Sequence, residues 1–223
     1  MANKPSVSFS EYFFKHRIML LLITILCFII GGPFVDDIFH FGIIPDIFLT
    51  IVFIFGIYAI SREKKNIYIG LFLAAPMFFA IWSSHLFKSL ELFAIGELFG
   101  AFFVGFVISL LVKFILHEKE VTKEIIFAAV VVYLLIGIMW SFAYFILDYI
   151  YPNSFSFPGN ISPNVYRYLY FSYVTLTTLG YGDVAPLTNK AGSLVILEAI
   201  TGQIYLVVIV AWLVGMHVSR RSR

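Results

Sequence analysis

Charged residues are scarce in this chain of 223 residues, at 13% of the sequence against 61% hydrophobic residues. A soluble globular domain carries roughly 25% charged residues. The shortage argues against a soluble domain and indicates that lipid is the solvent for much of the chain.

Cysteine is nearly absent, and histidine is thinly spread. The one cysteine, Cys27, lies in an apolar run and has no partner for an internal disulfide and no metal-site spacing. We interpret it as a small packing residue. A membrane-embedded enzyme, the alternative of another class, would place acids or histidines at ligand or acid–base spacing. No histidine pair has that spacing, so an enzyme is not expected: His16, His40, His85, His117 and His217.

Long apolar runs are what the sequence does contain. Crossing a membrane takes about 20 mostly apolar residues, and six runs qualify: 18–35, 43–61, 66–87, 89–116, 124–150 and 191–218. The first follows basic residues as a signal peptide would, but Gly31-Gly32-Pro33 stand where a cleavage pattern is needed. We therefore predict an all-α membrane protein with six transmembrane helices.

Lysine and arginine indicate the orientation of these helices, because cytoplasmic flanks hold most of them. With six crossings, only Lys88, Arg167 and Lys190 of the fifteen basic residues fall on the outer side. We expect both termini in the cytoplasm, a tail at 1–17, a front unit of four helices at 18–118 and a back unit at 119–223.

The segment between the last two runs carries the chemistry. It ends in Thr178-Leu179-Gly180-Tyr181-Gly182-Asp183 and is too short to cross and return as two helices. Non-helical backbone at membrane depth is tolerated only where it lines water or is buried in protein. Gly180 and Gly182 permit the positive φ angles that a column of carbonyls aimed at one axis requires. Such carbonyls replace the water that a potassium ion loses.

These residues resemble the potassium channel family, whose selectivity filter reads Thr-Val-Gly-Tyr-Gly followed by Asp. Leu179 stands in place of the valine, and its side chain is expected to point away from the axis. The resemblance implies a homotetramer that binds K⁺ through the carbonyls of Thr178, Leu179, Gly180 and Tyr181 and the Thr178 hydroxyl. It also implies an outer helix at 124–150, a pore helix at 164–177, a filter at 178–182 and an inner helix at 191–218.

Residues around the filter take supporting roles by the same resemblance. Asp183 is expected to accept a hydrogen bond from Tyr170, and Thr175 is a candidate partner for the Tyr181 hydroxyl. Asn164 is a plausible N-cap of the pore helix. Phe171 cannot donate the bond that a tryptophan often supplies in the family.

The last run contains a glycine and an acid at membrane depth. Gly202 lies where related channels carry a hinge glycine, and close packing against the pore helix is an equal alternative. Counting in helical steps from it gives a pore-lining face: Gln203, Leu206, Val210, Val214 and Val218. Glu198 is expected near the hydroxyls of Thr175 or Thr177, in a structural, filter-tuning or pH-sensing role.

The front unit resembles a voltage-sensor bundle in number and order only. A sensor helix needs regularly spaced arginines, and the fourth run has none, with Lys113 near its cytoplasmic end. Steep voltage gating is therefore not expected. Glu97, in the same run, is expected to pair with Lys88 or Asp46.

Taken together, the sequence predicts a potassium-selective channel of the prokaryotic six-helix type in a plasma membrane. A weakly selective cation channel and a non-conducting assembly subunit are the alternatives that keep the same fold. Four copies of the chain and membrane lipids are the expected partners. We expect no nucleic acid, no small-molecule substrate and no cofactor, since K⁺ is the permeant ion.

Overall fold

The computed structural model describes residues 16–31, 34–35, 43–61, 63–87, 89–118, 120–158 and 165–221. Seven helices and two short strands follow one another in this part of the chain. They are α1 (Arg17–Leu26, continued by the π-helical turn Cys27–Gly31), α2 (Ile44–Ala59), α3 (Lys64–Phe87), α4 (Leu90–His117), α5 (Lys123–Ile150), β1 (Phe155–Ser156), α6 (Val165–Leu176), β2 (Ala185–Pro186) and α7 (Asn189–Arg221).

Hydroxyl side chains cap the N-termini of α4 and α5, the two helices at the centre of the fold. The Ser89 hydroxyl accepts a hydrogen bond from the Leu92 amide before α4, and the Thr122 hydroxyl accepts one from the Ile125 amide before α5. Such N-caps satisfy amides that have no partner inside the helix. Only a few residues separate α4 from α5, so the two helices run antiparallel and pack side by side.

Within the described residues, four helices are long and apolar enough to cross a membrane: α3, α4, α5 and the Asn189–Met216 part of α7. The stretches Arg17–Gly31 and Asp46–Ala59 are apolar but shorter. The first expected run, 18–35, loses its α-helical form at Leu26, where the π-helical turn precedes a Gly-Pro pair. Four spans are thus supported, and six crossings stay a prediction.

The core of the fold lies around α5. Both α1 and α4 of the front unit pack against it, and so do α6 and α7 of the back unit. In the most apolar part of α5, 61% of the residues are buried, whereas only 17% are buried in the corresponding part of α7. A single copy of the chain therefore leaves most of the apolar surface of α7 uncovered.

A short antiparallel pairing closes the outer end of the back unit. Phe155 and Ser156 of β1 pair with Pro186 and Ala185 of β2, respectively. The Leu187 amide adds a bond of 2.8 Å to the Ser154 carbonyl. The segment before α6 is thereby joined to the segment that follows the glycine-rich stretch.

Candidate functional site

Helix α6 lies against α5 and α7 at two glycines. A Cβ added to Gly137 of α5 would lie 2.5 Å from the Tyr173 ring, and one added to Gly202 of α7 would lie 2.5 Å from the Leu176 carbonyl oxygen. Real Cβ atoms essentially never approach other atoms within 3.0 Å. Both contacts therefore require the absence of a side chain, and the backbone of α7 touches the C-terminal end of α6.

Tyrosine hydroxyls join the same three helices. Tyr173 of α6 donates to the Leu134 carbonyl of α5 at 2.8 Å, and Tyr133 of α5 donates to the Leu176 carbonyl of α6 at 3.3 Å. Tyr205 of α7 donates to the α5 backbone, at the Ala129 carbonyl, at 2.6 Å. The rings of Tyr133 and Tyr205 stack with centroids 5.8 Å apart. The C-terminal end of α6 is thus fixed from both sides.

The backbone after α6 alternates in conformation. Thr178, Gly180 and Gly182 have positive φ angles of 58°, 57° and 77°, whereas Leu179 and Tyr181 between them do not. This is the alternation expected for a column of carbonyls that face one axis. Glycine adopts positive φ freely, but a β-branched residue does so at a cost of roughly 1–2 kcal/mol. Thr178 is therefore a strained position, of a kind that clusters at functional sites.

Three amides of this stretch are anchored to α6. The Leu179 and Gly180 amides both point at the Val174 carbonyl, at 3.0 and 3.3 Å, and the Thr178 amide bonds the Thr175 carbonyl at 2.9 Å. Residues 177–183 are all exposed in the single chain. The Leu179 side chain borders a cavity of about 360 Å³ together with residues of α6, including Tyr170 and Val174.

Tyr170 and Asp183 meet, as the sequence analysis expected. The Tyr170 hydroxyl donates to Asp183 Oδ2 at 2.7 Å. Because the phenol proton is held by this carboxylate, the pKa of Tyr170 is raised to about 12. The bond connects the body of α6 to the end of the glycine-rich stretch, and its role in filter support stays a prediction.

The expected contact between Thr175 and Tyr181 is not formed within the chain. In the described residues Thr175 contributes its carbonyl to the Thr178 amide, and the Tyr181 side chain is 67% exposed. Asn164, the expected N-cap of α6, lies outside the described residues. Helix α6 spans Val165–Leu176, close to the predicted 164–177.

The partners expected for Glu198 were wrong. Its carboxyl group accepts from the Tyr144 hydroxyl of α5 and contacts the Ser172 hydroxyl of α6 at 2.5 Å. The Thr177 hydroxyl instead donates to its own helix, at the Tyr173 carbonyl. Glu198 is fully buried where α5, α6 and α7 meet, and Ser172 is the residue of α6 that faces this junction.

Glu97 and Asp46 are both buried, and they lie near enough to each other for their charges to interact. Asp46 is 2.6 Å from His85 Nε2, and Glu97 Oε1 is buried with no hydrogen-bond partner among the described residues. Lys88, the other expected partner, lies outside them. The proximity of Asp46 to Glu97 agrees with the expected neighbourhood, His85 is a further partner of Asp46 that was not expected, and a direct Glu97–Asp46 pairing stays a prediction.

The predicted pore-lining face of α7 turns away from α5. Gln203, Leu206, Val210 and Val214 are all exposed, whereas Tyr205 and Ile209 face the other helices. The side chain of Val218 lies outside the described part. Gly202 is in close contact with α6, which is the packing alternative, and a hinge at this position stays a prediction.

Two residues that position α6 were missed by sequence reasoning. Asp148, near the end of α5, accepts a bond of 2.7 Å from the Tyr168 hydroxyl and one of 2.8 Å from the Ser154 amide. An acid in the last turn of an apolar helix is the signal that could have found it. Gly137 is harder to recognise from sequence, because a glycine in mid-helix indicates close packing against another helix only when the neighbouring residue, here Tyr173, is known.

Comparison with protein families gives one match, a family model described as "Ion channel" over residues 121–218. This range runs from the start of α5 through most of α7 and contains α6 and the alternating stretch. The match supports an ion-channel domain there, and with the long apolar helices it supports a membrane-embedded protein with a transport rather than an enzymatic role. Comparisons with curated proteins and with solved structures gave no significant match.

Proposed function

We propose that four copies of this chain form a potassium-selective channel, with residues 178–182 of each copy as its filter. The observation that supports this most is the alternating backbone at Thr178, Gly180 and Gly182, in the sequence that the potassium channel family uses. In the tetramer the carbonyls of four such stretches face one axis and replace the hydration shell of K⁺. The Thr178 hydroxyl adds an oxygen at the inner end.

The exposure of the filter in a single chain supports an assembly. Residues 177–183 are exposed, and α7 keeps an apolar surface that includes Ile204, Val207 and Val210. Most homo-oligomers are symmetric, so a symmetric copy of the chain can cover the exposed stretch and part of this surface. Around a fourfold axis, Gln203, Leu206, Val210 and Val214 line the inner cavity, where the valines form an apolar constriction.

The front unit acts as a scaffold rather than as a sensor of membrane potential. Helix α4 has Lys113 as its one basic residue apart from the terminal histidine, and Lys113 lies near its cytoplasmic end. Moving one charge across the membrane supplies about 2.3 kcal/mol per 100 mV, so a helix without arginines contributes little. The chain lies in a plasma membrane with six crossings and both termini in the cytoplasm.

Reversal potentials test the proposal. Purified protein is reconstituted in liposomes with K⁺ inside and Na⁺ outside, and the current is measured as a function of voltage. A reversal potential near the K⁺ equilibrium value supports selectivity. Equal permeability for the two ions supports a weakly selective channel, and absence of flux supports a non-conducting subunit. An image along the membrane normal without fourfold symmetry would contradict the assembly.

A further inference from the structure

Glu198 lies at the point where the three helices of the back unit meet. It is fully buried, one turn before Gly202, where the backbone of α7 touches α6. Its two carboxyl oxygens contact different helices. Oε2 contacts the Tyr144 hydroxyl of α5, and Oε1 contacts the Ser172 hydroxyl of α6. One carboxyl group therefore bridges the outer, pore and inner helices.

Counting hydrogens shows which protonation state fits these contacts. Ser172 Oγ lies 2.7 Å from the Gly137 carbonyl oxygen and 2.5 Å from Glu198 Oε1. A hydroxyl has one proton to donate, and the carbonyl has none. If Ser172 donates to an ionised Glu198, two oxygens face each other at 2.7 Å without a hydrogen between them. If Glu198 carries a proton, it donates to Ser172, and Ser172 donates to Gly137.

The surroundings of Glu198 offer nothing that balances a negative charge. The titratable groups that face it are the phenols of Tyr133 and Tyr144 on α5 and of Tyr173 on α6. No basic side chain pairs with it in the part of the chain that the structure describes. Asp148, the acid near the outer end of α5, is bonded to Tyr168 and the Ser154 amide instead. Burial of an unpaired carboxylate is strongly unfavourable.

We propose that Glu198 is a neutral carboxylic acid whose proton positions the pore helix. The proton completes a chain of bonds from Glu198 to Ser172 and from Ser172 to the Gly137 carbonyl, while Tyr144 donates to the other carboxyl oxygen. Loss of the proton removes one bond of this chain and places a charge behind α6. Because α6 carries the filter at its C-terminal end, K⁺ selectivity is coupled to the protonation of Glu198.

This inference rests on the proposed function, and its test separates the two. Difference infrared spectra of the reconstituted protein compare wild type with Glu198→Gln, whose amide can donate to Ser172 and accept from Tyr144. We expect the carbonyl stretch of a protonated acid in the difference between wild type and Glu198→Gln at neutral pH, in which bands from other buried acids such as Glu97 cancel. Glu97→Gln, the same change at another buried acid, should leave that band and the K⁺/Na⁺ permeability ratio unchanged.

Flux measurements supply the second readout. Glu198→Gln should keep the permeability ratio within about twofold of wild type, and Glu198→Ala should lower it at least about tenfold, because both bonds are lost. In wild type the band and the selectivity should decline together as the pH is raised, whereas Glu198→Gln should show no decline. A missing band at neutral pH, or a glutamine variant as unselective as the alanine variant, would overturn the inference. A band without any K⁺ flux in wild type would instead count against the proposed channel.

Discussion

Gly202→Ala is the sharpest test of how α6 is positioned. The added Cβ would lie 2.5 Å from the Leu176 carbonyl oxygen, while tight contacts begin at 3.0 Å and ordinary ones at 3.4 Å. The two backbones must therefore separate by about 0.5 to 0.9 Å, since 3.0 − 2.5 = 0.5 and 3.4 − 2.5 = 0.9. Overpacking of this kind costs about 1–3 kcal/mol. Alanine recovers about 1 kcal/mol of helix propensity, which leaves a net destabilisation of up to about 2 kcal/mol.

The matched control for this change is Gly192→Ala on the same helix. No atom lies within 4 Å of a Cβ at Gly192, so the control gains helix propensity without overpacking. We expect Gly202→Ala to lower the thermal stability of the purified assembly and its K⁺/Na⁺ permeability ratio, and Gly192→Ala to leave both unchanged or the stability slightly higher. If the two variants behave alike, the close contact does not position α6. Reduced opening with unchanged stability would identify Gly202 as a hinge instead.

Four further predictions follow from the described contacts. Gly180→Ala should abolish K⁺-selective flux while the assembly persists, because φ of 57° strains alanine although no atom crowds the site; normal flux would contradict the filter. Tyr170 should ionise only near pH 12, so its bond to Asp183 contributes to stability below pH 10 and is lost as the pH rises through 12. Tyrosinate absorbance, measured as the difference between wild type and Tyr170→Phe, checks this, and a transition at pH 10 would disprove it. Asp148→Ala should destabilise the loop after α5 by about 1–3 kcal/mol, measured by thermal unfolding, whereas Asp148→Asn should cost less, because its one amide oxygen can still accept one of the two bonds. Channel currents should depend only weakly on voltage, and a gating charge of several units per assembly would refute the scaffold role of the front unit.

Sequence reasoning located the elements of the back unit because their signals are local. The length of their apolar runs was enough to predict α5 and α7. The short helix before the glycine-rich stretch was predicted at 164–177 and is observed at Val165–Leu176, a difference of one residue at each end. The alternating φ angles were foreseen at Gly180 and Gly182, since only glycine adopts them freely. Thr178 was not foreseen as a third, because threonine disfavours positive φ; it takes the left-handed position at the C-terminal end of α6, where the Thr178 and Leu179 amides bond the Thr175 and Val174 carbonyls.

Contacts between helices were the part that sequence could not supply. Glu198 was recognised as important, but its partners depend on which face of α6 turns toward α7, and Ser172 rather than Thr175 occupies that face. Gly137 and Tyr173 fit each other only when both helices are placed. In the front unit, Asp46 bonds His85 across α2 and α3, a pairing 39 residues apart that no local pattern indicates.

Four of the hydrogen bonds that join α5, α6 and α7 share one property on their acceptor side. Tyr173, Tyr133, Tyr205 and Ser172 all donate to main-chain carbonyls, at Leu134, Leu176, Ala129 and Gly137 respectively. A main-chain carbonyl is present whatever the side chain, so exchanging the acceptor residue leaves the bond available, whereas exchanging the donor removes it. Saturation mutagenesis should thus be less tolerant at the hydroxyl-bearing positions than at Leu134, an acceptor residue whose side chain is only half-buried.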